Sequence, residues 1–256
     1  DIAYAQSATA LTQARTAGKG DSAAVGLLVV ADPIFDKSDE RLKGSGLEAY
    51  VGKGFVTMGV AATRRGAGFD RLEETGVLAE TLTAAFGSGA LALTGKSASK
   101  TKLMSEDLGR YRHLVFATHG ILDGDVPYIG EPALVLTQVG NEPGDDGYLK
   151  MSEIMGLKLN CDVVALTACK TGLGREVGGE GVLGLGRAFQ YAGAKNALVS
   201  LWSVSEKSTT MLTAAFFRAL KEGKTPRESL KTARTELRRG AYAHPFFWAP
   251  FVLIGG

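Results

Sequence analysis

Cysteine and histidine are scarce in this chain: two and three, respectively, among 256 residues. Two cysteines cannot build a disulfide framework, so a stapled secreted scaffold is excluded and a reducing, cytoplasmic setting is the simpler expectation. Ligating side chains so few and so dispersed leave no zinc spacing, and neither a metal nor another cofactor is expected. No apolar run approaches the ~18 residues of a membrane-spanning helix. The longest clean stretch lies near Val25–Ala31. An excess of one charge is also missing: 29 Lys plus Arg stand against 27 Asp plus Glu, a net +2 without the basic signature of a nucleic-acid binder.

What is present is the balance of a globular protein with a sizeable core, 45% hydrophobic and 22% charged. The length fits one large or two small domains, and neither a boundary nor a repeat of 20–50 residues stands out. Glycine is abundant at 34 residues, about twice the usual share, which predicts many tight turns. The first residues, DIAYAQSATALTQARTAG, carry no initiator Met and no apolar signal core. They read as a helix cut from a longer chain, so residues 1–24 are expected to be a remnant or linker and residues 25–256 the domain proper.

Short apolar runs alternate with helical patterns, the βαβ signature of a mostly parallel sheet. Strands are expected at Gly26–Ala31, Ala90–Thr94, His113–Thr118, Asp162–Thr167 and Asn196–Trp202. Each is continuously apolar, as strands covered on both faces must be. Phe69, Leu72, Leu78, Leu82 and Phe86 recur at helical spacing, Thr101–Leu108 reads as a shorter helix, and Gly181–Tyr191 forms another that Gly193 stops. Ser205–Leu220 and Pro226–Arg238 form a final helical pair, and Phe246–Ile254 reads as a closing strand that Pro250 confines to an edge. Asp32–Arg65 is read as a long loop or irregular hairpin, and Gly120–Tyr148 as loop, strand Ala133–Thr137, loop.

His119 directly follows one apolar run, in LVFATHG, and Cys169 follows another, in VVALTACKTG. Both fall just past the carboxyl ends of predicted parallel strands, where open α/β sheets place their ligands. If the two strands are neighbours, an imidazole and a thiol fifty residues apart emerge on one sheet edge. That pairing suits acyl transfer: the thiolate attacks a carbonyl and the imidazole manages the proton. The N–H groups of Gly120 and Cys169 are the candidate oxyanion donors. The plainer alternative makes Cys169 an inert core thiol and His119 a satisfied strand-end histidine.

The segments FATHG, VVALTACKTGLG, GEGVLGLGRAFQYAGAKNALVSLWSVSEKST and VGLLVVADPIF together resemble a CHAT domain, from about Val25 to the C-terminus. The resemblance implies a caspase-like three-layer αβα sandwich with a mostly parallel central sheet, related to caspases, metacaspases and separase. It implies His119 and Cys169 as the dyad of a cysteine endopeptidase, and an attached tetratricopeptide-repeat region or regulatory partner. The caspase string around the cysteine is absent, and Thr167 stands where metacaspases carry an acidic residue. Separase has an acidic LWDVTD segment that serves a basic side chain; here LWSVSEKS puts Trp202 and Glu206 on it. The resemblance therefore implies cleavage after Arg, less readily Lys, since a carboxylate meets a guanidinium as a bidentate pair. Glu206 serves equally well as a favourable charge in the first turn of the next helix. Asp123, Asp125, Asp145 and Asp146 would add negative potential or act as solvated turn residues.

Two glycine patterns are set aside. Gly179-x-Gly181-x-x-Gly184 matches the dinucleotide fingerprint, but about a dozen residues separate it from the preceding strand. Its glycines are read instead as allowing a helix to pack closely on the sheet. Gly95-Lys96-Ser97 fails as a phosphate loop because Ala90 stands where the first glycine belongs. Cys161, His113 and His244 read as structural, and Phe246, Phe247, Trp248 and Phe251 as closing-strand core. The competing function classes are a catalytically silent caspase-like scaffold and, more remotely, a nucleotide-binding α/β protein.

Overall fold

Every residue of the first strand, β1 (Leu27–Pro33), is buried. In the computed structural model, which describes residues 26–43, 69–126, 128–167 and 180–255 (apart from the side chains of 180–182), the reason is visible. Leu27, Val29 and Ala31 join one apolar cluster, while Leu28 and Val30 join another on the opposite face. A strand with period-2 side chains can be apolar throughout only where helices cover both faces. The same division holds for β3 (His113–Ala117), β7 (Val163–Leu166) and β8 (Asn196–Ser200).

With β2 (Ala90–Gly95) and β9 (Phe251–Gly255), these strands form a six-stranded sheet in the order β2-β1-β3-β7-β8-β9. All pairings are parallel except β8–β9. One layer is built from α1 (Glu73–Phe86), α5 (Glu206–Lys221) and α6 (Pro226–Arg238), whose Leu78, Leu82, Phe216, Phe217, Ala233 and Leu237 share a cluster. The other layer contains α2 (Lys100–Met104), α3 (Met151–Met155) and α4 (Glu180–Tyr191), with Leu103, Ile154, Leu185 and Phe189 facing the sheet. A fully buried phenylalanine such as Phe216 contributes about 2–3 kcal/mol by leaving water.

Local chemistry sets the helix ends. Thr225 and Glu228 form a reciprocal capping box at α6 with Pro226 in its first turn, and Ser205 caps α5. After α4, Gly193 adopts φ +116°, and a Cβ there would stand 2.1 Å from the Leu159 carbonyl oxygen. Glycine is obligatory at that stop. Within α4 the glycine that permits close approach is Gly186, where a Cβ would meet Ile254 at 3.0 Å, rather than Gly184 of the dinucleotide-like pattern.

Several expectations need correction. Phe69 does not belong to the α1 stripe; the helix starts at Glu73, and Phe69 packs in a separate cluster with Phe35, Ile121 and Tyr148. Gly120–Tyr148 is not a single strand between loops. It contributes to a three-stranded antiparallel sheet of β4 (Gly120–Ile121), β5 (Ala133–Val135) and β6 (Tyr148–Lys150). Strands of two or three residues are too short to show an alternation. The closing strand spans only Phe251–Gly255, at the edge as Pro250 requires, while Pro245–Phe247 is a 3-10 turn and Phe246 is 46% exposed. The second helix is confined to Lys100–Met104, ahead of a separate 3-10 turn at Leu108–Arg110.

Candidate active site

At the carboxyl end of β3 the chain leaves the sheet through Thr118 and His119. The Thr118 hydroxyl donates to the Val135 carbonyl, and the Val135 N–H donates to the His119 carbonyl at 2.8 Å. This ties the turn to β5 and holds the imidazole in place. The His119 side chain is buried at 1% exposure, between the rings of Phe35 and Phe69 at centroid distances of 5.0 and 5.4 Å. Its Nε2 lies 2.8 Å from the Asp70 carbonyl oxygen. A carbonyl only accepts, so Nε2 carries the proton, and in the neutral ring Nδ1 holds the basic lone pair.

The condition for bringing thiol and imidazole together is met at the level of the sheet: β3 and β7 are adjacent and parallel, with Phe116 opposite Leu166. His119 is three residues beyond Phe116 in the sequence, and Cys169 is three beyond Leu166. Cys169 itself lies outside the described residues. Beside the ends of β7 and β8 opens a pocket of about 150 Å³, lined among others by Thr75, Thr167, Ser200, Trp202, Glu206 and Thr210. It is rich in hydroxyl groups, and among the described residues that line it Glu206 is the single carboxylate. Glu206 is half-buried and is also the first residue of α5, where its charge is favourable. Trp202 is 40% exposed, and its indole N–H donates to the Phe246 carbonyl at 3.1 Å.

The profile of the CHAT domain matches residues 1–256. This chain belongs to the CHAT domain family. Two crystal structures of the Saccharomyces cerevisiae separase–securin complex are similar in fold over 99% of the chain, with TM-scores of 0.50 and 0.51 at 12% and 11% identity. They cover 13% and 14% of the separase chains, and they support the caspase-like assignment of the αβα sandwich. Tetratricopeptide repeat protein 28 of mouse and of human is 35% and 34% identical over 108 residues, 42% of this chain. The chain spans 4% of the length of those curated relatives.

In this CHAT domain the remaining acidic residues separate from the pocket. Asp123 is exposed in the turn after β4 and does not line the pocket, and Asp125 accepts from the Leu122 N–H at 2.7 Å. Asp145 and Asp146 are not solvated turn residues. Asp145 is buried and accepts from the Thr101 N–H at 2.8 Å and from its hydroxyl at 2.9 Å. Asp146 pairs with Lys100 at 2.6 Å and Lys150 at 2.8 Å. A turn of polar residues looks solvated in sequence because some of its partners, here Lys100 and Thr101 on α2 about 45 positions upstream, are not local. Gly120 is buried at the start of β4, where a Cβ would meet nothing closer than 4.0 Å. Cys161 is buried at the opposite end of the sheet, and burial pushes its thiol up to about 12. Among the described residues no helix is long and apolar enough to cross a membrane.

The residues that sequence reading missed are Phe35, Phe69 and Asp70. Nothing in their types announces chemistry: two are ordinary core aromatics, and the third acts through its main chain.

Proposed function

We propose that this CHAT domain is a cysteine endopeptidase. His119 Nδ1 takes the Cys169 thiol proton, the thiolate attacks the scissile carbonyl carbon, and the imidazolium passes that proton to the leaving amine; water, deprotonated by His119, then releases the acyl group, and the proton returns to sulfur. The observation that carries this reading is the His119 tautomer, with Nε2–H committed to the Asp70 carbonyl and the basic lone pair on Nδ1, in a residue that follows the strand adjacent to β7. The Gly120 N–H supports the oxyanion role. His119 and Val135 form a hydrogen-bonded pair, so Gly120 and Leu134 opposite are a non-hydrogen-bonded pair, and that amide stays outside the β4–β5 ladder.

Glu206 is the candidate selector for Arg over Lys before the scissile bond, with Trp202 as an apolar wall for the side-chain stem. Asp123, exposed outside the pocket, is left without a role in this reading. A tetratricopeptide-repeat region or partner regulates the domain in this view, as the repeat-bearing relatives suggest. The competing scaffold reading draws on the near-complete burial of His119.

Turnover of Arg-ended fluorogenic peptides by the wild type, lost in Cys169→Ala, is the expected result. An acyloxymethyl-ketone carrying Arg should label Cys169 by mass mapping. Glu206→Gln should lower kcat/KM for Arg substrates roughly 10- to 100-fold, the range of one charge-assisted hydrogen bond. Silence of the wild type even with a repeat-bearing partner region supplied favours the scaffold.

A further inference from the structure

Asp32, at the end of β1, has a backbone φ of 45°, and it is the one non-glycine residue with positive φ among the described residues. A side chain held in this region points to a local demand that outweighs its cost. Its carboxylate is 9% exposed and is gripped by two guanidinium groups. Arg71 donates from Nε to Oδ1 at 3.0 Å and from Nη2 to Oδ2 at 2.9 Å, while Arg41 Nη1 lies 2.7 Å from Oδ2. The Asp32 N–H donates to the Thr75 hydroxyl at 2.9 Å, and that hydroxyl donates to the Leu72 carbonyl at 2.6 Å. A Cβ at Gly76 would come within 3.2 Å of Asp32 Oδ2, so the helix approaches this closely because residue 76 lacks a side chain.

Arg41 is shared between two carboxylates, Asp32 and Asp39, which accepts from its Nε at 2.8 Å, so Arg71 also balances charge in this cluster. Arg71 is 42% exposed, and such a pair contributes little to fold stability. What a second, bidentate guanidinium adds beyond charge is direction, because its planar fork fixes the residue that bears it. The fixed residue lies in the irregular segment 69–72, where the Phe69 ring and the Asp70 carbonyl both contact His119. The chain just past β1 supplies Phe35, the other ring against the imidazole.

We infer that the Asp32–Arg71 pair is a positioning device for His119. It ties segment 69–72 to the end of β1, holds the Asp70 carbonyl opposite Nε2, and so maintains the tautomer with Nδ1 as proton acceptor. Its catalytic consequence rests on the peptidase reading; its effect on the imidazole does not.

The test is a long-range proton–nitrogen correlation spectrum of the histidine-labelled chain at a pH where the ring is neutral, alongside peptide turnover. In the wild type the His119 signals should report one tautomer, Nε2–H. Arg71→Ala should shift them towards a tautomer mixture and lower kcat roughly tenfold to hundredfold, the scale of a small misplacement, with KM within about twofold. Asp32→Asn, which keeps the shape and tolerates the left-handed backbone, should do the same. If Asp32→Asn does not fold, Arg71→Ala decides alone. A folded Arg71→Ala with wild-type His119 signals overturns the proposal. A wild type that turns over no peptide sinks the peptidase reading, while the tautomer measurement still decides this one.

Discussion

Strand β3 begins with one imidazole and is followed, two residues past its end, by another, and the two could hardly be housed more differently. His113, at the amino end, stands edge-on to the rings of Phe86 and Phe217 at 6.0 and 5.8 Å. Burial there outweighs the attraction of Asp162 and pushes the ring down to about 4. His119, at the carboxyl end, also sits between two aromatic rings but has a carbonyl acceptor at 2.8 Å that selects its tautomer. Aromatic enclosure alone leaves a neutral structural histidine; an oriented acceptor fixes which ring nitrogen carries the proton, as the proposed base requires. The contrast follows from the sheet, because parallel strands gather their loops for chemistry at the carboxyl ends.

The sharpest way to break this comparison is to exchange the losses. His119→Ala should reduce kcat/KM on Arg-ended peptides by about 10³-fold, within the range of a general acid–base group, whereas His113→Leu should stay within about twofold. Equal losses would show that position along the strand does not matter. Acid stability should separate the pair next. His113 is about 4 in the folded chain and 6.5 as its ordinary value, so between these pH values the unfolded chain binds the extra proton. Stability should therefore fall by about 3 kcal/mol as pH drops from 7 to 4 through this group alone. Urea unfolding of wild type and His113→Leu at both pH values checks it, with a flatter dependence expected for the variant. The smallest effect repeats the comparison for the two thiols that flank β7 in the sequence. Cys161, buried at the amino end, should alkylate in the native chain at least ~100-fold more slowly than Cys169, and Cys161→Ala should cost roughly 1 kcal/mol. Mass-resolved alkylation rates would contradict this if Cys161 reacted first.

Legibility followed the range of the interactions. The apolar runs that became β1, β3, β7 and β8 were readable because continuous burial on both faces leaves a continuous pattern, whereas the partly buried edge strand β2 was readable from its apolar run alone. The ends of α5 and α6 were readable from Ser205, Thr225 and Pro226, whose capping is local. The three short strands around residues 120–150 were not, since two or three residues carry no period. Glu206 and Trp202 were placed through the family resemblance, and both line the pocket. The surroundings of His119 escaped notice because they are assembled from Phe35, Phe69 and a main-chain oxygen, none with a chemical signature.

The residue pattern alone fixed where the apolar strands of the main sheet and the principal helices would fall, and that His119 and Cys169 would each follow an apolar run. Those properties are set by side-chain type and spacing within a dozen residues. Only the tertiary structure decided that β3 lies beside β7, that Glu206 shares a pocket with Thr75, and that Arg71 reaches Asp32 across 39 positions. Strand order arises from how helices pack on both faces of a sheet, and no local pattern encodes which crossover places which strand next to which.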